Sequence, residues 1–283
     1  MNLHVIETGT FRLDGGAMFG VVPKVLWQKT NPADESNRIT LAMRCLLIEE
    51  GERLLLVDDG LGSKYDDKFS KIYSLDNSKT LESSLKAAGF SPDDVTDVLL
   101  THLHFDHCGG STMRGKDGKS FVPYFRKAVY YVQEPHWQWA IKPNAREKAS
   151  FFLEENLLPL DRSGQLRRIS GDGSILENLS LIIVNGHTRG QQLPVIRYKD
   201  KTIVYVADLI PTHGHIPVPY IMGYDISPLD SMEEKEKFLS RAAAGKWVLF
   251  FERDPFHECA TVERKETGGY KMAQPLRLAE LKS

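Results

Sequence analysis

The order of its elements predicts a mixed α/β fold in which helices cover two sheets. Strand-like runs come first; a helix, a strand, further helices, more strands, and a last helix and strand follow. Two pairs of apolar runs, each joined by three polar residues, predict hairpins around Glu50-Gly51-Glu52 and Lys199-Asp200-Lys201. No stretch rich in Pro, Gly and Ser divides the chain, so we expect a single domain over residues 1–283.

Apolar or β-branched runs bounded by turn-forming residues predict the strands. The first helix is predicted because Leu81, Leu85 and Ala88 share one helical face and Gly89 follows them. A capping box beginning at Ser231 predicts the start of the last helix. The predicted strands are 3–7, 17–27, 39–49, 53–57, 94–100, 128–133, 166–169, 179–185, 193–198, 202–206, 247–251 and 261–265; the predicted helices are 81–88, 134–158 with a break at Pro143, and 231–244.

Composition and charge exclude several classes of protein. Hydrophobic residues make up 41% and charged residues 26% of the chain, which is ordinary for a globular protein. The net charge of −2 gives no electrostatic footprint for nucleic acid, and no apolar run reaches the length of a membrane span. The first residues lack the pattern of a signal peptide, and three widely spaced cysteines favour a reducing compartment. We therefore expect a cytoplasmic protein that binds neither nucleic acid nor a membrane.

The most informative motif is a His-x-His-x-Asp-His run, which brings four metal-binding side chains within six residues. It follows a predicted strand and precedes two glycines. In extended chain alternate side chains face the same way, so His102, His104 and Asp106 are expected on one side. His107 falls where the chain turns and can approach the same point from another direction. A catalytic zinc ion typically takes about three protein ligands, so four donors favour two metal ions.

Three further predicted strands each lead to a residue whose side chain is of a type that can bind a metal ion. His187 follows a strand through a Gly-His turn, Asp208 ends a strand, and His257 comes soon after the strand at 247–251. Rigid strands can deliver such groups to one edge of a sheet, as a metal site assembled from several loops requires. Together with the histidine-rich run, these residues complete the donors that a dinuclear site needs.

These motifs resemble those of metallo-β-lactamase-fold hydrolases. The similarity rests on the His-x-His-x-Asp-His run, on Gly186-His187-Thr188, on Ala207-Asp208 and on His257; residues 56–60 resemble the family's first signature. The resemblance implies an αββα sandwich of two mixed sheets flanked by helices, with two metal ions at one edge of the sheets. It also implies roles: the first ion binds His102, His104 and His187, the second binds Asp106, His107 and His257, Asp208 bridges both, and Asp58 orients ligands without binding metal.

The implied chemistry is hydrolysis by direct attack of water. Two neighbouring divalent ions lower the pKa of a bound water to about 7, so a bridging hydroxide exists near neutral pH. Asp106 would orient this hydroxide or carry a proton. The imidazole and carboxylate donors suit two Zn²⁺ ions best, with manganese, iron and cobalt as alternatives.

The stretch from Phe11 to Trp27 is similar to the opening of methyl parathion hydrolases and quorum-quenching lactonases. The implied substrate is a small, partly apolar molecule, either an N-acyl-homoserine-lactone-like lactone or an organophosphate-like ester. Residues 10–38 are expected to form a loop segment that covers the active site. Within it, Met18, Phe19 and Trp27 either line the substrate pocket or belong to the core. By analogy with related enzymes, a homodimer is expected.

One position departs from the pattern of acyl-homoserine lactonases. Some of them carry a Tyr three residues after the bridging Asp, where it helps to hold the scissile carbonyl. Pro211 stands at that position here. His213 is therefore the first candidate for this catalytic role, and Tyr220 and Tyr224 are the alternatives.

Three other functions stay open. A thioesterase of the glyoxalase-II type carries a helical segment after the last donor, for which little chain follows His257. An iron-dependent redox member of the fold, such as a persulfide dioxygenase, would tend to lose donors to the second ion. A metal-free binding protein would lack donors altogether. The metal content separates the zinc, iron and metal-free alternatives.

Overall fold

The computed structural model describes residues 1–173 and 175–282. It confirms the mixed α/β class, with fourteen strands and eight α-helices assigned in this part of the chain. The strands are β1 (Asn2–Asp14), β2 (Arg38–Glu50), β3 (Arg53–Val57), β4 (Asp97–Leu99), β5 (Thr112–Arg114), β6 (Phe121–Pro123), β7 (Val129–Gln133), β8 (Leu166–Ile169), β9 (Leu179–Val184), β10 (Gln191–Tyr198), β11 (Lys201–Tyr205), β12 (Val248–Phe250), β13 (Cys259–Arg264) and β14 (Tyr270–Leu276). The helices are α1 (Gly15–Phe19), α2 (Lys24–Trp27), α3 (Asp67–Tyr73), α4 (Leu81–Ala87), α5 (Phe105–Cys108), α6 (Glu134–Ala140), α7 (Leu158–Arg162) and α8 (Pro228–Gly245).

Two six-stranded sheets carry the fold. The first has the strand order β1-β2-β3-β4-β7-β8 and the second has the order β14-β13-β12-β11-β10-β9, while β5 and β6 form a separate pair. In the first sheet β2 and β3 are antiparallel, whereas β3, β4, β7 and β8 are parallel. In the second sheet β11 and β12 are parallel, whereas β10 pairs with β11, β12 with β13 and β13 with β14 in the antiparallel direction. Both sheets are therefore mixed, as predicted.

The chain forms two compact units. The first comprises residues 1–9, 43–173 and 190–192, and the second comprises residues 10–42, 175–189 and 193–282. The core of the first unit contains Leu56, Val98 and Tyr130 from the sheet and Leu85 and Trp137 from helices, all buried. The expectation of a single domain over residues 1–283 stays a prediction.

The second unit has its own buried apolar side chains. Tyr205 and Phe250 stack on neighbouring strands with ring centroids 5.4 Å apart. Leu239, on α8, is fully buried, and Phe238 meets Trp247 edge-on at 5.9 Å. These contacts anchor α8 and β12, the elements that flank the polar residues described below.

The predicted strand at 17–27 is wrong, because this stretch contains α1 and α2. Asp14 begins α1 by accepting a hydrogen bond from the backbone N–H of Ala17, at 2.8 Å. Met18, Phe19 and Trp27 are buried, which favours the core alternative for these three side chains. A short apolar run does not distinguish a buried helix from a buried strand by periodicity alone. Residues 10–38 thus contain the end of β1 and two short helices rather than a loop throughout.

The last helix begins at Pro228, three residues before the predicted capping box. Proline suits the first helical turn because the backbone N–H that it lacks would have no partner there. Glu234 bonds instead to the backbone N–H groups of Asn185 and Gly186, at 2.8 and 3.0 Å. The predicted helix at 134–158 is also shorter than expected, since it ends at Ala140 and a π-helical turn occupies Leu153–Leu157. Among the helices of the described residues, none combines the length and apolarity that crossing a bilayer requires.

Candidate metal centre

The carboxyl ends of β3 and β4 form the base of the first group of donors. These strands are parallel neighbours, with Val57 opposite Leu99, so the residues that follow them lie side by side. The Asp58 carboxylate accepts hydrogen bonds from the backbone N–H and the hydroxyl of Thr101, both at 2.7 Å. Asp58 itself has a positive φ of 54°, a conformation that costs free energy in a residue with a side chain. The fold therefore holds this buried carboxylate in a fixed place.

His107 is oriented by Asp58. Its Nδ1 lies 3.0 Å from the Asp58 carboxylate, so Nδ1–H donates and Nε2 keeps its lone pair. Nε2 in turn lies 3.9 Å from a carboxylate oxygen of Asp106. Asp106 and His107 both lie on α5, so the prediction that Asp106 belongs to an extended run with His102 and His104 is wrong. Instead, both side chains extend from one short helix, and their polar atoms lie 3.9 Å apart.

His102 and His104 present lone pairs to each other. The hydroxyl of Thr101 donates to Asp58, so Nδ1–H of His102 must be the donor in its 3.1 Å contact with that hydroxyl. His104 Nε2 lies 3.3 Å from the carboxylate of Glu147 and donates to it. The remaining nitrogens, His102 Nε2 and His104 Nδ1, are 3.1 Å apart.

This pair of nitrogens fits a bound cation. With hydrogens assigned as above, neither nitrogen of the neutral rings can donate to the other, so the contact is repulsive without a positive charge. Two nitrogens bound to one tetrahedral zinc ion at about 2.0–2.1 Å are roughly 3.3 Å apart, close to the observed separation. We name His102, His104, Asp106 and His107 the first donor set.

The second donor set, His187, Asp208 and His257, belongs to the other compact unit. Asp208 lies in a 3-10 turn directly after β11, and the preceding Ala207 has a positive φ of 41°. His187 follows β9 through Gly186. A Cβ at Gly186 would lie 2.3 Å from the Ser231 hydroxyl oxygen and 2.5 Å from its Cα, so glycine is required by the close approach of α8.

His187 is oriented in the same manner as His107. Its Nδ1 lies 2.9 Å from a carboxylate oxygen of Asp225 and donates to it. Its Nε2 then presents a lone pair, at 3.2 Å, to Oδ2 of Asp208. An imidazole lone pair and a carboxylate oxygen at this distance again require a cation or a proton between them.

His213 and His257 share Asp254. The Asp254 carboxylate accepts from Nδ1 of His213 at 2.5 Å and from the backbone N–H groups of His213 and His257 at 2.7 and 2.9 Å. Burial alone would raise the pKa of Asp254, but these hydrogen bonds outweigh it and hold its pKa below the usual range. The His257 ring meets that of His213 edge-on at 4.5 Å. Burial lowers the pKa of His257, and His213 adds to this effect while Asp254 opposes it.

The two alternatives to His213 have other surroundings. Tyr220 packs edge-on against Phe19, with ring centroids 6.4 Å apart. Tyr224 is 39% exposed. The catalytic role of His213 and the role of each donor stay predictions.

Asp58, which contacts His107, was named from the sequence as a residue that orients ligands, but three other carboxylates that contact the histidines were missed. Glu147, Asp225 and Asp254 are buried carboxylates, each in contact with a candidate histidine. Sequence reasoning also missed Arg253, which is buried beside Asp208. One signal was available, because Glu252-Arg253-Asp254 is a charged run placed directly after an apolar strand. Glu147 and Asp225 occur in ordinary polar surroundings that give no such signal.

Comparison with known proteins identifies the family. The sequence model of the metallo-β-lactamase superfamily matches residues 44–252, which is more than half of the chain. The chain belongs to this superfamily. The resemblance inferred from the histidine-rich run is thereby confirmed, and the matched region contains the whole first donor set together with His187 and Asp208.

Known relatives include lactonases and a metal-dependent hydrolase. An N-acyl homoserine lactonase of Bacillus cereus is 24% identical over 59% of this chain and 63% of its own length. The lactonase AttM of Rhizobium radiobacter is 23% identical over 64% of this chain and 66% of its own length. The matched region thus spans about three fifths to two thirds of these relatives.

Solved structures extend the likeness over the whole fold. A probable metal-dependent hydrolase from Staphylococcus aureus is 28% identical, with a TM-score of 0.85 and coverage of 98% of both chains. AidC, a dizinc quorum-quenching lactonase solved with the product N-hexanoyl-L-homoserine, is 23% identical, with a TM-score of 0.77 and coverage of 98% of this chain and 95% of its own. At this identity the second likeness supports the fold alone.

Proposed function

We propose that this protein is a metal-dependent hydrolase that cleaves a lactone or an ester-type small molecule. The observation that carries the proposal is the orientation of His102, His104, His107 and His187, each of which donates through one ring nitrogen and presents a lone pair at the other. Four histidines prepared in this way are the donor chemistry of a metal centre. Membership of the metallo-β-lactamase superfamily supports the same conclusion.

Both donor sets are proposed to serve one centre for two divalent ions, zinc fitting the donors best. The first ion is assigned to His102, His104 and His187, the second to Asp106, His107 and His257, with Asp208 as the bridge. Asp58 and Asp225 hold His107 and His187 in the tautomer that leaves Nε2 available. When bound, such ions supply Lewis-acid activation of water and of the electrophilic carbonyl or phosphoryl group.

The protein's own residues would handle protons and hold the substrate. Asp106 is proposed to orient the attacking water and to accept its proton, because its carboxylate lies 3.9 Å from Nε2 of His107, a proposed donor to the second ion. His213 is proposed to bind the carbonyl or leaving oxygen through Nε2. Asp254 accepts from Nδ1–H of His213 and so orients the ring for that role.

The proposed substrate is a lactone with a partly apolar substituent, and organophosphate-like esters share the same chemistry. The N-acyl homoserine lactonases among the relatives favour the lactone. A cytoplasmic location is proposed from the three cysteines, which are buried and far apart in the chain. A homodimer is proposed by analogy and is checked by light scattering on the purified protein.

The test is a substrate panel with matched metal controls. Purified protein would be assayed on N-hexanoyl-homoserine lactone, simple lactones, aryl esters, thioesters and a paraoxon-type triester, with metal analysis of the same sample. We expect ring opening of a lactone or cleavage of an aryl ester, its loss after chelation, and its recovery with zinc. Thioester cleavage alone or bound iron would favour the alternatives, and chelator-resistant hydrolysis would contradict the proposal.

A matched pair of variants separates metal binding from folding. His102→Ala removes one of the two facing lone pairs and should abolish hydrolysis and lower the zinc content. His4→Ala changes a histidine of β1 that contacts Glu49 outside both donor sets, and it should leave both unchanged. Circular dichroism should give the same spectrum for both variants and for the unaltered protein.

A further inference from the structure

Two adjacent residues of α8 contact different loops and have no role in the proposed chemistry. Glu234 is half-buried, and Lys235 has no exposed surface, which is rare for a lysine. Adjacent residues of an α-helix point about 100° apart, so one helix can contact two neighbouring segments in this way. The two side chains carry opposite charges, and each binds a different kind of main-chain group.

Glu234 holds the loop that carries His187. Its two carboxylate oxygens accept hydrogen bonds from the backbone N–H groups of Asn185 and Gly186, at 2.8 and 3.0 Å. Hydrogen bonds to an ionised group are stronger than those between neutral groups. The main chain immediately before His187 is therefore fixed by α8.

Lys235 holds the loop that carries Asp225. Its Nζ donates to the carbonyl oxygens of Pro217 and Tyr220, at 3.0 and 2.7 Å. These two residues belong to one turn, because the backbone N–H of Tyr220 donates to the carbonyl of Pro217 at 2.9 Å. The backbone N–H of Asp225 donates in turn to the carbonyl of Met222 at 3.2 Å. Lys235 thus fixes the chain a short distance before Asp225.

The two loops meet at the contact between His187 and Asp225. Nδ1–H of His187 donates to the Asp225 carboxylate at 2.9 Å, and both residues are 4% exposed. Their main chains are also joined, because the N–H groups of Ile226 and Ser227 donate to the carbonyls of His187 and Gly186 at 3.3 and 2.9 Å. The ring and the carboxylate that orients it thus lie on separate segments, and α8 holds each segment.

We propose that Glu234 and Lys235 are positioning residues that hold His187 and Asp225 in register, so that α8 fixes the direction of Nε2 of His187. This inference rests on the proposed metal centre, in which that nitrogen is a donor. Both residues act through His187, and neither is itself a metal donor. Their removal should leave the donors in the chain but weaken zinc binding, because the ring is no longer held in the direction that a bound ion needs.

The experiment compares two substitutions in α8 with two matched controls. Glu234→Gln keeps the shape of the side chain but leaves one oxygen for two N–H groups, and Lys235→Met removes the donors and keeps an unbranched chain. Each should lower the zinc affinity by about tenfold in competition with a chelator. Glu233→Gln and Lys237→Met make the same changes in an exposed ion pair of α8 and should leave the zinc affinity unchanged.

A second readout, by nuclear magnetic resonance, follows His187 directly. In zinc-loaded protein with isotope-labelled histidine, the Nδ1–H resonance of His187 reports its bond to Asp225 and is assigned by its loss in His187→Gln. We expect this resonance to shift, or to be lost by exchange with solvent, in Glu234→Gln and in Lys235→Met. It should stay unchanged in both controls.

A double-substitution cycle separates positioning from a general structural role. Because Lys235 is proposed to act through Asp225, Lys235→Met should cost less than about twofold in zinc affinity when Asp225→Asn is already present. Equal losses of about tenfold with and without Asp225→Asn would overturn the positioning role of Lys235.

Two other results would contradict the inference in different ways. Failure of the unaltered protein to bind zinc would overturn it together with the proposed function. Zinc binding by the unaltered protein, with unchanged affinity and an unchanged His187 resonance in both α8 variants, would overturn the inference alone. Circular dichroism and thermal melting would check the folding of each variant. If Lys235→Met does not fold, Glu234→Gln decides, because unchanged affinity and resonance in that folded variant would contradict the inference.

Discussion

The two donor sets use the same chemical device but differ in how the chain builds it. In the first set, consecutive residues after β4 and on α5 supply the donors, and Asp58 orients His107. In the second set, three separate loops supply the donors, and Asp225 orients His187. A buried arginine, Arg253, also lies beside the carboxylate of the second set. The first set therefore consists of imidazole rings and one carboxylate. In the second set the carboxylate also lies beside the positively charged Arg253.

The largest expected effect comes from removing one oriented histidine of each set. His107→Ala and His187→Ala should each lower kcat/KM by about 10³-fold, or about 4 kcal/mol of transition-state stabilisation. The reason is that each ring is a proposed metal donor, and the oriented nitrogen that Asp58 or Asp225 positions is lost with the side chain. Steady-state kinetics with the zinc content of each variant measures this. Full activity in either variant would mean that the two donor sets are not both required for catalysis.

The next effect concerns His213 and Asp254, a pair that lies beside His257 of the second set. His213→Gln should lower kcat by about 10²-fold, because a positioned acid–base group contributes at least that much. Asp254→Asn should also lower kcat, with a smaller change in KM, because the amide can still accept a hydrogen bond but lacks the negative charge that the carboxylate places beside the His213 ring. A change in KM alone for both variants would indicate a binding role instead.

Asp58→Asn and Asp225→Asn sharpen the comparison between the oriented histidines. Each substitution removes the negative charge behind a donor ring, and the zinc affinity should fall by about 10–100-fold. Competition with a chelator gives the two affinities. The effect of Asp58→Asn should be the larger, because Asp58 also accepts two hydrogen bonds from Thr101. The reverse order would mean that the second set dominates metal binding.

The last expected effect is on stability rather than on activity, and it is a pH dependence carried by Lys235 in α8. Burial lowers the pKa of this lysine to about 7, although Asp225 opposes the shift, and its Nζ donates to the carbonyls of Pro217 and Tyr220. Between pH 7 and the ordinary lysine pKa of 10.5, the unfolded chain binds more protons, so the free energy of unfolding rises with pH. Its slope should exceed that of Lys235→Met by up to about 1.4 kcal/mol per pH unit in this range.

Urea unfolding of both proteins at several pH values between 6 and 10 measures this slope. Below pH 7 the lysine is charged in both the folded and the unfolded state, so the two proteins should then change in parallel. Parallel curves across the whole range would contradict the lowered pKa. The same comparison made with the zinc-loaded protein tests whether zinc changes the interaction between Lys235 of α8 and Asp225.

Features built from residues that are adjacent in the chain were easier to predict than features built from distant residues. The hairpin of β2 and β3 was predictable because its apolar runs and its turn are adjacent in the chain. The first donor set was predictable because its residues lie within one short motif. The strand predicted at 17–27 failed because burial selects apolar residues in short helices and in strands alike.

The sequence by itself determined the mixed α/β class, the family and the chemical types of the candidate donors, because these depend on local patterns and on residues close together in the chain. The tertiary structure alone decided which carboxylates orient the histidines and that Arg253 lies against Asp208. That contact arises because β11 and β12 are parallel neighbours, with Tyr205 opposite Phe250, so the residues that follow them meet although long stretches of chain separate them. No local pattern encodes such a juxtaposition, since strand pairing fixes it only once the sheet has formed.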